Sequence, residues 1–150
     1  MDMRNRTLHE NILNPRLLPT IWVTVLLSML FRDVHEFLRE GMITELANEG
    51  TVYGTRVTDT TLIVSGVALQ LPIAMVLLSK VLPDRTNRIA NRIVAALMVL
   101  GVLGFWPKDG DDYIFGAFQL AALALIGVIC HRWVDTPNAA TDRVGVGATS

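Results

Sequence analysis

Four blocks of apolar residues, almost free of charged side chains, constrain this chain more than any other feature. The blocks run from 17 to 31, from 61 to 82, from 89 to 106 and from 113 to 133. A helix needs roughly 20 residues to cross about 30 Å of hydrocarbon, and the second and fourth blocks meet this length. Because a helix satisfies its backbone hydrogen bonds internally and an isolated strand does not, the blocks predict membrane-spanning helices.

The first and third blocks reach full length only if charged residues are included at one end. Continued for about 20 residues, the first helix passes through Asp33 and Glu36 and ends near residue 37. In the third block Arg92 lies in the first turn, and a long basic side chain extends readily to the headgroups. The spans are therefore predicted at about 17–37, 61–82, 89–106 and 113–133.

The connections between the blocks complete the predicted architecture. The turns at 83–87 and 107–112 are short, so consecutive helices are expected to be antiparallel neighbours. Between the first two spans, Met42, Ile43, Leu46 and Ala47 recur on one helical face, and Gly50 follows as a stop signal. The sequence thus predicts an all-α, integral membrane, antiparallel four-helix bundle with a short extracellular surface helix. Residues 1–135 form the transmembrane domain, and 136–150 form a flexible cytoplasmic tail.

Basic residues divide unequally between the two sides of these spans and predict the orientation. One side carries nine: Arg4, Arg6, Arg16, Lys80, Arg85, Arg88, Arg92, Arg132 and Arg143. The other carries four: Arg32, Arg39, Arg56 and Lys108. The more basic side of a membrane protein is normally cytoplasmic. We therefore expect a multi-pass protein of the plasma (inner) membrane with both termini in the cytoplasm.

Composition excludes several classes of function. The net charge of −1 and the lack of a dense basic cluster argue against a nucleic-acid partner. The single cysteine, Cys130, cannot form an internal disulfide, which excludes a self-contained dithiol redox cycle. His35 and Glu36 lack the second histidine, four residues after the first, that a zinc-protease helix requires. No catalytic residue, metal ligand or cofactor is assigned.

The charged stretch that ends the first span has two interpretations. In the first interpretation, the helix simply leaves the membrane here and its charges pair with one another. Arg32 lies four residues before Glu36, and Glu36 lies three before Arg39, so both pairs can form on the helix surface. As a functional site, it depends on Asp33, which shares a helical face with Trp22. If this face looks into the bundle, Asp33 is an ionisable group inside a membrane protein, and such groups are candidates for function.

Two glutamines extend the functional interpretation. Gln70 and Gln119 both fall in the outer half of their spans, so with Asp33 they are candidates for a polar pocket open to the outside. Pro72 interrupts the backbone ladder close to Gln70 and leaves a free carbonyl as a further candidate. In the alternative interpretation, the glutamines are hydrogen-bonding contacts between helices.

A second cluster opens the third span. Asn87, Arg88, Asn91 and Arg92 lie on the side predicted to be cytoplasmic. We expect them to form an anchor at the inner surface, contacting lipid phosphates or capping carbonyls, rather than a substrate site.

Four motifs carry a resemblance to a known family: FRDV (31–34), QLPIAMVLLSK (70–80), NRIAN (87–91) and YIFGAFQ (113–119). In order and spacing they resemble an uncharacterised family of small four-span bacterial membrane proteins, which is itself similar to the DoxX-like group. The resemblance implies a four-helix membrane bundle and no particular activity. The family pattern has an aspartate at the position of Asp33 and commonly glutamates at those of Gln70 and Gln119. Glutamine keeps the hydrogen bonds but carries no proton, so a proton relay through all three positions is put in doubt.

Three functions stay open at this stage. The first is an accessory or interaction protein that stabilises a membrane protein partner. The second is binding or transport of a small molecule or ion through the pocket around Asp33, Gln70 and Gln119. A single four-helix unit makes a thin wall, so this function calls for a homo-oligomer. The third is a subunit of a membrane oxidoreductase, by analogy with the DoxX-like group. The lipid bilayer is a partner in all three.

Overall fold

The computed structural model describes residues 13–52, 55–104 and 110–133, except for the side chain of Asp111. The tail predicted at 136–150 lies outside the described residues. A 3₁₀ turn, Pro15–Leu17, leads into the first long helix. In chain order the elements are α1 (Leu18–Phe37), α2 (Met42–Glu49), β1 (Thr51–Val52), β2 (Thr55–Arg56), α3 (Asp59–Val81), α4 (Asp84–Gly104) and α5 (Gly110–Arg132).

Four of these helices, α1, α3, α4 and α5, are long and apolar enough to cross a membrane, which confirms the four apolar helices expected from the sequence. Three of them begin earlier than the apolar blocks, at Asp59, Asp84 and Gly110. In α3 the reason is a capping box: the Thr58 side chain accepts from the Thr61 backbone, and the Thr61 side chain accepts from the Thr58 backbone. The polar residues Asp84 to Arg88 add a first turn to α4 that hydropathy alone does not reveal.

Each long helix packs mainly against two others. Helix α1 contacts α3 and α5, and α4 contacts the same two helices. Arg32, near the end of α1, bonds Asp112 in the first turn of α5. Ser79, near the end of α3, bonds Asn91, in the first half of α4. Both contacts join the end of one helix to the beginning of the other. They show that α1 and α5 are antiparallel and that α3 and α4 are antiparallel.

The buried core lies mainly toward one end of the molecule, which we call the closed end. The closed end contains the first turns of α1 and α4 and the last turns of α3 and α5. The largest side chains that are fully buried include Leu18, Trp22, Met75, Ile126 and Ile129. Because apolar side chains of α1, α3 and α5 are buried there beside Asn87 and Asn91 of α4, the closed end is where the helices hold together.

The opposite end, which we call the open end, is covered far less. From Asp59 to Ala68 every residue of α3 is exposed, and Ile63 is 65% exposed. A buried face on α3 starts only with Pro72 and continues through Met75 to Ser79. The first half of α3 is therefore an apolar helix segment that the rest of the described chain does not cover.

The short α2 and the hairpin lie next to the open end. Gly41 and Gly50 flank α2 with φ of 86° and 64°, a left-handed conformation that glycine adopts without strain. Met42 is buried and Leu46 half-buried, whereas Ile43 is exposed, so the predicted apolar face is only partly covered. A short helix was expected here; the antiparallel pairing of β1 with β2 was not.

Candidate functional site

A network of buried polar side chains lies at the closed end, centred on Asn91, which is 0% exposed. Its Oδ1 accepts from Trp22 Nε1 at 2.7 Å and from Ser79 Oγ at 3.3 Å. Its Nδ2 donates to the backbone oxygen of Asn87 at 2.8 Å and to Asn87 Oδ1 at 2.7 Å. Asn87 Nδ2 in turn donates to the backbone oxygen of Ser79 at 2.8 Å. The closed-end network, Trp22, Ser79, Asn87 and Asn91, thus joins α1, α3 and α4.

Two arginines of α4 form hydrogen bonds with the end of the last helix, α5. Arg92 Nη2 donates to the carbonyl oxygen of Cys130 at 2.6 Å, and Arg88 Nη1 donates to that of Trp133 at 2.9 Å. The last carbonyls of a helix lack intrahelical partners and carry the negative end of its dipole, so cations are stabilising there. The two arginines therefore cap the end of α5.

The four residues predicted as an inner-surface anchor thus separate into two pairs. The asparagines are buried between helices, and the arginines bind carbonyls at the end of α5. Contact between these arginines and lipid phosphates stays a prediction.

The charged stretch at the end of α1 forms one contact within the helix and one between helices. Glu36 pairs with Arg39 at 3.4 Å, as expected for residues three apart. Arg32 pairs with Asp112 of α5 at 2.9 Å rather than with Glu36. The reason is the rotation of α1, because Arg32 continues the face of Trp22, Val25 and Ser28 that packs inward.

The structure does not gather the residues of the predicted outer pocket. Gln119 is 2% exposed, whereas Asp33 and Gln70 are exposed. Pro72 is buried on the opposite side of α3 from Gln70. Among the described residues, no hydrogen bond joins Asp33, Gln70 and Gln119. A ligand-binding role for these residues stays a prediction.

A groove of about 800 Å³ lies between α1 and α5. Thr24, Leu27, Ser28 and Phe31 line one side, and Ile114, Phe115, Ala117, Phe118 and Ala121 line the other. Near its open-end mouth, the rings of His35 and Phe115 meet edge to face with 5.7 Å between centroids. The walls are almost entirely apolar, and Ser28 supplies one of the few polar groups.

Ser28 Oγ, in the wall of this groove, and Gln119 Nε2, outside its lining, are buried polar atoms without a hydrogen-bond partner among the described residues. Such atoms are rare in folded proteins, and each one calls for an explanation. Gln119 was a predicted site residue, but Ser28 was not. A serine in an apolar span is unremarkable until its rotation toward another helix is known.

The sequence analysis also did not identify three residues that form polar contacts between helices. Trp22 and Ser79 complete the hydrogen bonds of Asn91, and Asp112 pairs with Arg32. A signal did exist for Trp22, because an indole N–H inside an apolar span needs an acceptor. Within the described part of the chain, no group of three or more His, Cys, Asp or Glu side chains is placed to hold a metal ion.

The geometry defines a helical protein with four helices of membrane-spanning length and an internally satisfied polar network. The profile of DUF6326, a family of unknown function, matches residues 6–136, so the chain belongs to this family. No curated protein and no solved structure matches the chain. The likeness to the DoxX-like group and the bacterial origin gain no support from these comparisons.

Proposed function

We propose that the chain is a multi-pass membrane protein that acts as an accessory or interaction protein. Helices α1, α3, α4 and α5 form an antiparallel bundle across the plasma membrane, with both termini in the cytoplasm. The bundle binds a transmembrane helix of a partner protein through exposed residues around the middle of α3. The observation that carries this proposal is the position of Gln70.

Gln70 is exposed at the middle of α3, in a helix that is otherwise strongly apolar. In a single bundle this amide faces hydrocarbon at mid-depth, where a polar group without a hydrogen-bond partner is costly. Glutamine commonly resolves this cost by bonding across to another membrane helix. The exposed amide thus distinguishes this face of α3 from a surface that only contacts lipid.

The residues around Gln70 fit close helix packing. Gly66 and Ala74 lie four residues before and after Gln70, on the same face, and both are exposed. Small residues let a second backbone approach closely, which strengthens packing and hydrogen bonds in a membrane. We call Gly66, Gln70 and Ala74 the α3 face.

The test is recovery of a partner from native membranes with a tagged chain. We expect Gln70→Leu to weaken partner binding about three- to fifteenfold, the effect of one interhelical hydrogen bond. Detergent melting of the isolated chain should not change, because the Gln70 side chain makes no hydrogen bond to any of the described residues. Ser65→Leu is the control: it makes a similar polar-to-apolar change at an exposed position off the α3 face. Equal recovery with Gln70→Leu and with the unchanged chain would show that the α3 face contacts only lipid.

The other functions left open by the sequence have less support. Transport through Asp33, Gln70 and Gln119 needs these residues around one path, and only Gln119 is buried. A subunit of a membrane oxidoreductase rests on the likeness to the DoxX-like group alone. The bacterial four-span resemblance supports the bundle and names no activity.

A further inference from the structure

The α3 face belongs to a longer exposed stripe on one side of α3. Ile63 and Leu77 lie seven residues before and after Gln70, and seven residues are close to two helical turns. Both side chains are well exposed, at 65% and 66%. From Ile63 to Leu77 the stripe extends for about 21 Å, which is most of the thickness of the hydrocarbon. The stripe is therefore long enough to pack against another membrane helix over several turns.

Gly66 lies in this stripe for a reason that packing within the chain does not give. A Cβ added at Gly66 would have no neighbouring atom of the described residues within 4 Å, so these residues do not require a glycine there. Glycine also weakens the interior of a helix relative to alanine. In a membrane, small residues are common where two helix backbones approach closely. Gly66 thus leaves room for the backbone of a second helix.

Gln70 distinguishes a second copy of this chain from an unrelated helix. The four long helices contain four side-chain amides, of which Asn87, Asn91 and Gln119 are buried and Gln70 is exposed. A helix of a different protein pairs with this amide only if it carries a polar group at the same depth. A second copy always does, because the distribution of basic residues inserts every copy in the same orientation and equal residues then lie at equal depth.

A pair of Gln70 side chains is also self-complementary. Each amide carries a donor, Nε2, and an acceptor, Oε1. Across a twofold axis normal to the membrane, each Gln70 Nε2 can donate to Oε1 of the other copy. The same axis brings the two Gly66 residues together one turn away, where the backbones can approach. A single polar residue in an otherwise apolar seam fixes the register and the number of helices.

We propose that the α3 face pairs with the α3 face of a second copy and forms a parallel homodimer joined by reciprocal Gln70 hydrogen bonds. This inference rests on the proposed function, since it names the partner helix that the α3 face binds. The stripe consists of exposed residues, so the dimer forms without disturbing the buried core or the closed-end network.

Cross-linking of the full chain in native membranes tests the pairing. Cys130 is replaced by alanine, and Ile63→Cys or Val64→Cys then supplies a single exposed thiol. Ile63 and Val64 are adjacent and similarly exposed, at 65% and 63%, but they point about 100° apart around α3. A disulfide requires Cα atoms within about 7 Å. After oxidation with copper phenanthroline, we expect a cross-linked dimer with Ile63→Cys and little with Val64→Cys; equal cross-linking of the two would overturn the pairing.

Energy transfer between donor- and acceptor-labelled copies in phosphatidylcholine vesicles measures the strength of the dimer. Gln70→Leu should raise its dissociation constant about three- to thirtyfold, the effect of one or two interhelical hydrogen bonds. Gly66→Leu should also raise it, because the leucine side chain keeps the two backbones apart, and it should not melt earlier, because the space beside Gly66 is open. Ser65→Leu, off the stripe, should have no effect. An unchanged dissociation constant for both Gln70→Leu and Gly66→Leu would overturn the homodimer.

Recovery of partners from native membranes separates this inference from the proposed function. If no dimer forms, but recovery of a different protein depends on Gln70, the homodimer is wrong and the proposed function stands. If no dimer forms and no recovered protein depends on Gln70, both are wrong. Recovery of a second, differently tagged copy that Gln70→Leu weakens supports both.

Discussion

Asn91 uses its whole hydrogen-bonding capacity while fully buried. Its amide oxygen accepts two bonds and its amide nitrogen donates two, to partners on three helices. An amide in an apolar interior is tolerated only when it is satisfied in this way. The closed-end network is therefore a structural contact between helices, since Asn91 has no polar capacity left for a ligand.

We predict that Asn91→Ala destabilises the isolated chain by about 2–4 kcal/mol. The substitution leaves Trp22 Nε1, Ser79 Oγ and Asn87 Oδ1 without their partner, and it opens a cavity between helices. Unfolding in detergent, followed by circular dichroism, measures the change. Asn48→Ala, at an exposed position of α2, is the matched control and should have a small effect. If the two variants unfold alike, the network does not hold the helices together.

At this scale, the sequence identified Asn87, Asn91 and Gln119 because polar residues are conspicuous in or beside an apolar span. It did not identify Trp22 or Ser79 as their partners. A partner depends on how each helix is rotated about its axis, and no local pattern sets that rotation. Asp33 illustrates the same limit: Arg32, one residue earlier, is the side chain that reaches α5.

The end of α5 is held by side chains from another element. Carbonyls of Cys130 and Trp133 receive hydrogen bonds from Arg92 and Arg88 of α4. Because α4 and α5 are joined by these bonds at the closed end, fraying of the last turn of α5 is expected to depend on α4.

We predict that Arg92→Gln increases hydrogen exchange at the amides of residues 130–133 about two- to fivefold. This corresponds to a cation at a helix end that contributes about 0.5–1 kcal/mol. Native-state exchange read by mass spectrometry measures it. Arg85→Gln provides the control, because Arg85 lies on the first turn of the same helix, is exposed and makes no bond to α5. Equal exchange in both variants would mean that Arg92 does not cap α5.

The sequence predicted the long helices well, but it did not predict the short strands β1 and β2. Apolar blocks predicted the four long helices. The pairing of β1 with β2 involves two residues per strand, too few to show an alternating pattern. The apolar block that predicted α4 begins only at residue 89, because the first turn of the helix is polar.

Over the whole molecule, polar bonding and burial are distributed unequally. The closed end combines the main core with the closed-end network and both arginine caps. The open end has the Arg32 to Asp112 pair and a helix segment, Asp59 to Ala68, that nothing in the described chain covers. The proposed α3 face lies between these two ends, around the middle of α3.

The sequence predicted the number of helices but not which helix faces would be covered. Helix α3 is apolar on nearly every side, so its pattern does not distinguish a face toward the protein from a face toward lipid. Packing against neighbours makes that choice. For this reason Gln70 and Gln119, which look equivalent in the sequence, differ in the structure: one is exposed and the other is buried.

The central claim is that the four long helices cross a membrane with the closed end in the cytoplasm, and cysteine labelling tests it most directly. Cys130 is buried and is first replaced by alanine. Asn48→Cys, on α2, and Thr86→Cys, on the first turn of α4, then place single exposed thiols at the two ends. Intact cells are treated with a membrane-impermeant maleimide. The account predicts labelling of Asn48→Cys in intact cells and of Thr86→Cys only after permeabilisation; labelling of Thr86→Cys in intact cells would contradict it.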